Sequence, residues 1–319
     1  MNKIVVLDGY TLNPGDLSWD ALAVLGEMKV YDRTCPEDVI DRIGDANIVL
    51  TNKTVLSEDI IRSCPNVRYI GCLSTGYNVV DLKTTDELGI VVTNIPSYGT
   101  EAVAQHTMAL LLEIASRVGM HADAVKEGQW ANCPDFCFWN APLFELLGKT
   151  MGIIGYGAIG QAVGRKAEAF GMEVLAYSPV MTKDQETEHC HMATVDEIYE
   201  KSDIIALHCP LTAENAHMIN KQTIAKMKDG VVILNTSRGG LIQEEDLKEA
   251  LNSGKVLAAG LDVVSTEPIR SDNVLMDAKN VWITPHIAWA PREARQRLMG
   301  MAVDNVRAFI KGTPINQVH

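Results

Sequence analysis

The stretch "KTMGIIGYGAIGQAVGRKAEAFGMEVLAYSP" constrains this chain more than any other. An apolar run ends at Gly155, an amphipathic stretch opens after Gly157, and a second apolar run follows from Glu173 to Tyr177. Strand, turn, helix and strand in this compass make a βαβ unit, whose two strands must lie parallel in one sheet. Each glycine has a mechanical task. Gly155 permits the tight turn, Gly157 lets backbone approach a pyrophosphate, and Gly160 lets helix pack on strand. Amides at the helix start, near Ala158 and Ile159, would hold the phosphates with help from the helix dipole. The expectation is a dinucleotide site.

The same rhythm runs through the rest of the chain. Ile4–Leu7, Met28–Tyr31, Asn47–Leu50, Val67–Cys72 and Ile90–Thr93 read as buried strands, with helices between them such as Trp19–Gly26 and Ser57–Ser63. A second series holds Met151–Ile154, Glu173–Tyr177, Asp203–His208, Val231–Asn235, Leu257–Val263 and Val281–Thr284. Alternation of this kind predicts α/β architecture with parallel sheets covered on both faces. At 319 residues the chain is too long for one typical core, so two domains are expected. A long apolar helix should start near Glu101 and stop at Gly119, and a last helix should run from Pro291 to Phe309, ending before Gly312.

Composition removes several classes of function. A formal net charge of −13 repels nucleic acid and anionic lipid. No apolar run reaches membrane-spanning length, and the first residues read as a strand rather than a signal peptide, so no membrane partner is expected. Seven scattered cysteines without a C-x-x-C pair suit a reducing, cytoplasmic setting. Glu188-His189-Cys190-His191 looks metal-like, but adjacent ligands point apart and no second pair completes a set, so no metal site is expected. The loop "GQWANCPDFCFWNAPLFELLGK" is unusually aromatic for a loop, and suits a subunit interface better than simple packing between elements.

Ligands of open parallel sheets bind beyond the carboxyl ends of the strands. "VVILNTSRGG" puts Arg238 just past one such end, "AAGLDVVSTEP" puts Asp262 at the next and Glu267 beyond it, and "VWITPH" puts His286 at the last. Beside a nicotinamide these groups suit reduction of a 2-oxo acid. Protonated His286 would deliver a proton to the carbonyl oxygen. Glu267 would favour its charged form and fix its tautomer. Arg238 would fork onto the substrate carboxylate and carbonyl. In the earlier half, "GCLSTGYNVVD" offers the amides of Ser74, Thr75 and Gly76 as a nest for a carboxylate, with the substrate lying between the domains. Where a dinucleotide fold usually carries an acidic residue for the adenine ribose, this chain has Ser178. Ser178 does not repel a 2′-phosphate, yet no Arg follows to reward one and only Lys183 is near in sequence. NAD(H) is therefore favoured, with NADP(H) still open.

Together "STGYNVVD", "VAQHTMALLL", "GIIGYGAIG", "LHCPLT", "NTSRGGLIQEEDL", "LDVVSTEP" and "TPHIAWA" resemble the D-isomer-specific 2-hydroxyacid dehydrogenases along nearly the whole chain. "HIAWA" and "DFCFW" look most like the branch that handles D-glycerate and hydroxypyruvate. The resemblance implies a Rossmann domain over residues 101–287, inserted into a flavodoxin-like substrate domain built from 1–100 and 288–319. It implies Arg238 as substrate anchor, Glu267 as partner and His286 as acid and base. It also implies cofactor contacts at Thr75, Ala158, Ile159, Ser178, Cys209, Pro210, Thr236, Asp262 and Trp289, with Asp262 holding the nicotinamide amide. Pairing of two chains through the nucleotide domain is implied as well. Glu267 argues against formate oxidation, and no basic cluster suits phosphoglycerate. The alternatives are a D-lactate-type or phosphoglycerate dehydrogenase, or a nicotinamide-sensing corepressor of the same fold.

Overall fold

The computed structural model describes residues 1–319, the side chain of Lys183 excepted; the cation that the sequence sets near Ser178 thus lies outside the described side chains. The chain divides into two compact units, Met1–Gly99 with Ala290–His319, and Thr100–Trp289.

In the first unit the β-branched runs become β1 (Lys3–Val6), β2 (Glu27–Val30), β3 (Ile48–Thr51), β4 (Tyr69–Cys72) and β5 (Val91–Thr93). They form one parallel sheet in the order β2-β1-β3-β4-β5, the flavodoxin-like arrangement. Every residue of β3 and β4 is buried, as helices on both faces require, whereas the edge strand β2 alternates in exposure. The helix Leu82–Leu88 shows how local sequence sets an element. Asp81 accepts the Thr84 amide at 2.8 Å as N-cap, and Gly89 closes the other end in the left-handed conformation. The helix Arg292–Ile310 returns to this sheet. Its Phe309 ring lies 4.8 Å from that of Tyr69, and its Arg295 guanidinium grips both oxygens of Asp16 at 2.7 Å. The expected first helix shrinks to Asp20–Ala23, because β2 already starts at Glu27, whose amide is taken by the Asn2 carbonyl.

In the second unit seven parallel strands follow: β6 (Thr150–Ile154), β7 (Glu173–Tyr177), β8 (Cys190–Met192), β9 (Ile204–Leu207), β10 (Val231–Asn235), β11 (Val256–Leu261) and β12 (Val281–Ile283). Their order is β12-β11-β10-β9-β6-β7-β8. Counted from β6, the first six reproduce the doubly wound dinucleotide-binding order, with the switch point between β6 and β9. Separate apolar clusters cover the two faces. One includes Ala104, Met108, Leu111 and Ile114 of the helix Thr100–Ser116, and the other Ile198, Ile224, Leu247 and Leu251 of three later helices.

Gly119 does not end the long helix. It stops at Ser116, Arg117 turns left-handed at φ 52°, and a new helix runs from Val118 to Lys126. The Arg117 guanidinium lies 4.0 Å from the Trp282 ring centre, and the Glu113 carboxylate accepts the Gly119 amide at 3.2 Å. Those two contacts place the break two residues early. The stretch around Glu188–His191 supplies the edge strand β8, with Cys190 buried and the His189 ring 3.0 Å from Glu173.

Candidate active site

The glycine turn is built as its spacing requires. Gly155 has φ +103°, and a Cβ there would stand 2.4 Å from the Cys209 nitrogen. At Gly160 a Cβ would meet the Gly155 carbonyl oxygen at 2.3 Å. Around Gly157 nothing lies within 4 Å of that position, so the missing side chain leaves room rather than relieving a clash. Gly157 and Ala158 are exposed, while Ile159 packs on the core. The helix Ala158–Ala169 starts here, and the first amides of any helix lack intrahelical acceptors. Open space before such amides suits a pyrophosphate. Ser178 follows β7 directly, its hydroxyl 3.4 Å from the Val180 amide, and it brings no charge. Cys209 and Pro210 follow β9 beside the turn; the Cys209 carbonyl accepts the Ser237 hydroxyl. Thr236 meets the Thr107 hydroxyl at 3.0 Å. A dinucleotide fits these residues.

Strands β10, β11 and β12 are neighbours, so the segments after them share one rim of the sheet. The structure brings His286 and Glu267 into contact, with Nδ1 of the ring 2.6 Å from Oε2 of the carboxylate. That bond leaves Nε2 as the atom that can exchange a proton. Glu267 is anchored through Oε1, which accepts the Val264 amide at 3.3 Å. Arg238 reaches the same rim but stays exposed, with Nη1 donating to the Ser237 carbonyl at 2.8 Å. Its turn is shaped by buried Asn235, which donates to the Arg238 carbonyl and accepts the Ser237 amide.

His286 sits at φ 54°, a conformation that costs an L-residue roughly 1–2 kcal/mol. Such strain persists only where the surroundings over-determine it. Here the His286 amide donates to the Thr284 carbonyl at 2.9 Å, and its own carbonyl accepts the Trp289 indole at 2.9 Å. Asp262, only 1% exposed, accepts the next two amides, Ile287 at 2.9 Å and Ala288 at 2.8 Å. Asp262 and Trp289, which the family resemblance implies as cofactor contacts, also hold this loop.

Two supports escaped the reading of the sequence. Buried Glu244 accepts the amide and hydroxyl of Ser265 and the Asn273 side chain at 2.7–2.9 Å, fixing the loop that carries Glu267. A Cβ on Gly239 would fall 1.9 Å from the Val264 carbonyl carbon, so the residue after Arg238 must be glycine for that loop to pass. The doubled glycine after Arg238 was the available signal; nothing local marks Glu244 as buried.

In the first unit the carbonyls of the 74–76 loop are all spoken for. Ser74 accepts the Ile95 amide, Thr75 accepts Asn94 Nδ2, and Gly76 accepts the Ser74 hydroxyl, while the Thr75 hydroxyl donates to Ile95. Amides are what remain for an anion.

A strand-ordered dinucleotide fold with a histidine–carboxylate pair on its rim defines a nicotinamide-dependent dehydrogenase. Residues 108–288 match the family described as D-isomer specific 2-hydroxyacid dehydrogenase, NAD binding domain. The chain is 60% identical to the hydroxypyruvate reductase of Blautia hydrogenotrophica, over 99% of each chain. It is 38% identical to the glycerate dehydrogenase of Methylorubrum extorquens, over 99% of this chain and 98% of that one. Among solved structures it resembles the D-lactate dehydrogenase of Aquifex aeolicus, complexed with NAD and lactic acid, with a TM-score of 0.83, 32% identity and coverage of 98% and 96%. The chain belongs to the D-isomer-specific 2-hydroxyacid dehydrogenase family, closest to its glycerate dehydrogenase and hydroxypyruvate reductase branch. It is an NAD(P)H-dependent enzyme acting on a small 2-oxo acid.

Proposed function

We propose that the enzyme reduces hydroxypyruvate or glyoxylate to the D-2-hydroxy acid, and oxidises that product in reverse, with His286 as proton donor and acceptor. The observation that carries this reading is the His286–Glu267 contact at 2.6 Å, which commits Nδ1 and leaves Nε2 to the substrate. The relatives named for hydroxypyruvate and glycerate support the choice of acid.

A bound reduced nicotinamide supplies the hydride for the C2 carbonyl. His286 delivers a proton from Nε2 to the carbonyl oxygen, and in oxidation takes it back at the same atom. Glu267 stabilises the ring's positive charge and holds its orientation. Arg238 binds the substrate carboxylate and opposes negative charge as it develops on the oxygen. The 74–76 nest in the first unit also suits a carboxylate. The lack of an Arg after Ser178 supports NAD(H) as the working cofactor, while Ser178 itself, carrying no negative charge, leaves NADP(H) accepted. We propose also that two chains pair through the aromatic loop of the nucleotide-binding unit.

The test follows absorbance of NADH and of NADPH with hydroxypyruvate, glyoxylate and pyruvate. Turnover should be fastest with the first two. His286→Ala should lower kcat by about 10²–10⁴-fold with NADH affinity retained. Full activity of that variant, or no turnover of any 2-oxo acid by the native enzyme, would overturn the reading.

A further inference from the structure

The motif "VAQHTMALLL" contributes a histidine that the reaction as derived above does not use. His106 lies on the helix Thr100–Ser116, flanked by Ala104, Thr107 and Met108, which are buried in the unit's core. Its Nε2 stands 3.0 Å from the Thr284 hydroxyl and 3.5 Å from Oδ1 of Asp262. The Thr284 hydroxyl lies only 2.6 Å from that same Oδ1. A hydroxyl has one proton, and the carboxylate, which has none to give, receives it. Towards His106 the Thr284 oxygen therefore accepts, and His106 carries its proton on Nε2.

We infer that His106 is a positioning residue for the proton donor. It orients Thr284, Thr284 orients Asp262, and Asp262 holds the two amides that follow His286. Each joint of this chain is short and directional. Asp262 accepts from Thr284 and Ile287 on Oδ1 and from Ala288 on Oδ2, so a turn of its carboxylate would release the peptide planes next to His286. Those planes keep His286 at φ 54°. The strained backbone relaxes if they are freed, and the ring then leaves its place opposite Glu267. A shift near 1 Å in a reacting group can cost about 10²-fold in rate. The helix bearing His106 is fixed by its buried face, so the imidazole transmits the rigidity of the core to a loop at the sheet's rim. This inference rests on the reading of His286 as proton donor.

The experiment compares His106→Leu, His106→Gln, Thr284→Val and the double variant His106→Leu/Thr284→Val with native enzyme and His286→Ala. Steady-state reduction of hydroxypyruvate is read beside NADH affinity and melting temperature. His106→Leu and Thr284→Val should each lose about tenfold or more in kcat, with KM and NADH affinity within about twofold. His106→Gln, whose amide can donate from a similar distance, should recover most of the rate. The double variant should be no slower than Thr284→Val alone, because the two residues act in series. Native kcat in His106→Leu, a glutamine variant as slow as the leucine one, or losses that multiply in the double variant would each overturn the inference. If His286→Ala keeps its rate, the reading of His286 is what fails, whatever the His106 variants do.

Discussion

His208 carries an imidazole whose Nε2 is sealed from solvent without a hydrogen-bond partner among the described residues, and burial lowers its pKa to about 4 from 6.5. Between those values the unfolded chain binds a proton that the folded chain refuses. Stability must therefore fall as pH drops from 6.5 towards 4, by at most about 3 kcal/mol from this ring. Above about pH 7.5 the ring is neutral in both states and contributes no pH dependence. Urea midpoints at pH 7 and pH 5 check this. His208→Leu should show a loss between the two pH values about 2 kcal/mol smaller than native, since carboxylates titrate alike in both proteins. An equal loss would mean that the ring takes up its proton in the fold. A second prediction at this scale concerns Glu267. Gln in its place keeps a hydrogen-bonding group near Nδ1 but removes the negative charge that stabilises a protonated ring. Glu267→Gln should lower kcat for reduction by about 10–100-fold, a smaller loss than removing the acid itself. NADH affinity should hold, and loss of both together would point to collapse of the 264–273 loop instead.

At the scale of elements, the glycine turn separates two reasons for the same residue. Gly155→Ala and Gly160→Ala put a Cβ within 2.4 Å of fixed backbone, so both should fold poorly, with melting temperature as the readout. Gly157→Ala meets nothing, so it should fold like native and yet bind NADH at least about tenfold more weakly, because the methyl takes phosphate space. Native affinity in Gly157→Ala would remove the pyrophosphate from this turn. Here the spacing in the sequence was enough, since each glycine states its own steric reason. The inner strands of both sheets were legible for a similar cause: a parallel strand buried on both faces, such as β3, β4, β9 or β10, is a continuous apolar run. β8 was not, because a three-residue edge strand carrying two exposed residues leaves no such run. The helix break at Arg117 was not legible either, since the ring that holds the guanidinium lies far along the chain at Trp282. The site divides the same way. Residues that end strands, such as His286, Arg238 and Asp262, announce their place; Glu244, His106 and the grip of Asp262 on the 286–288 loop matter through burial and through partners on other segments, and a buried carboxylate is written with the same letter as a solvated one.

At the scale of the whole molecule, the aromatic loop after the helix Val118–Lys126 is held firmly yet left uncovered. Trp130 Nε1 donates to the Phe136 carbonyl at 2.9 Å, and the side chains of Gln129 and Asn140 exchange hydrogen bonds at 2.9–3.0 Å. The Asn140 amide donates to Nε2 of His121, whose Nδ1 faces the Arg117 carbonyl, so the loop is tied to the helix beside it. That framework presents Phe136 at 90% exposure and Trp139 at 67%, with Leu143 and Leu147 also exposed. A rigid loop loses little entropy on docking, and fully burying one such ring is worth about 1.5–3 kcal/mol before the costs of association. A chain of net charge −13 repels copies of itself at long range, so an attraction between copies has to come from an apolar patch of this kind. A second copy presenting the same loop about a two-fold axis would cover both patches at once. Sedimentation velocity across a dilution series should find a native dimer, tightening as salt screens the repulsion. Phe136→Asp with Trp139→Ser should raise the dimer dissociation constant by at least about 100-fold, with the melting temperature of the dissociated chain close to native. A native protein that stays monomeric at micromolar concentration, or a double variant that pairs as tightly as native, would leave the loop without a partner surface.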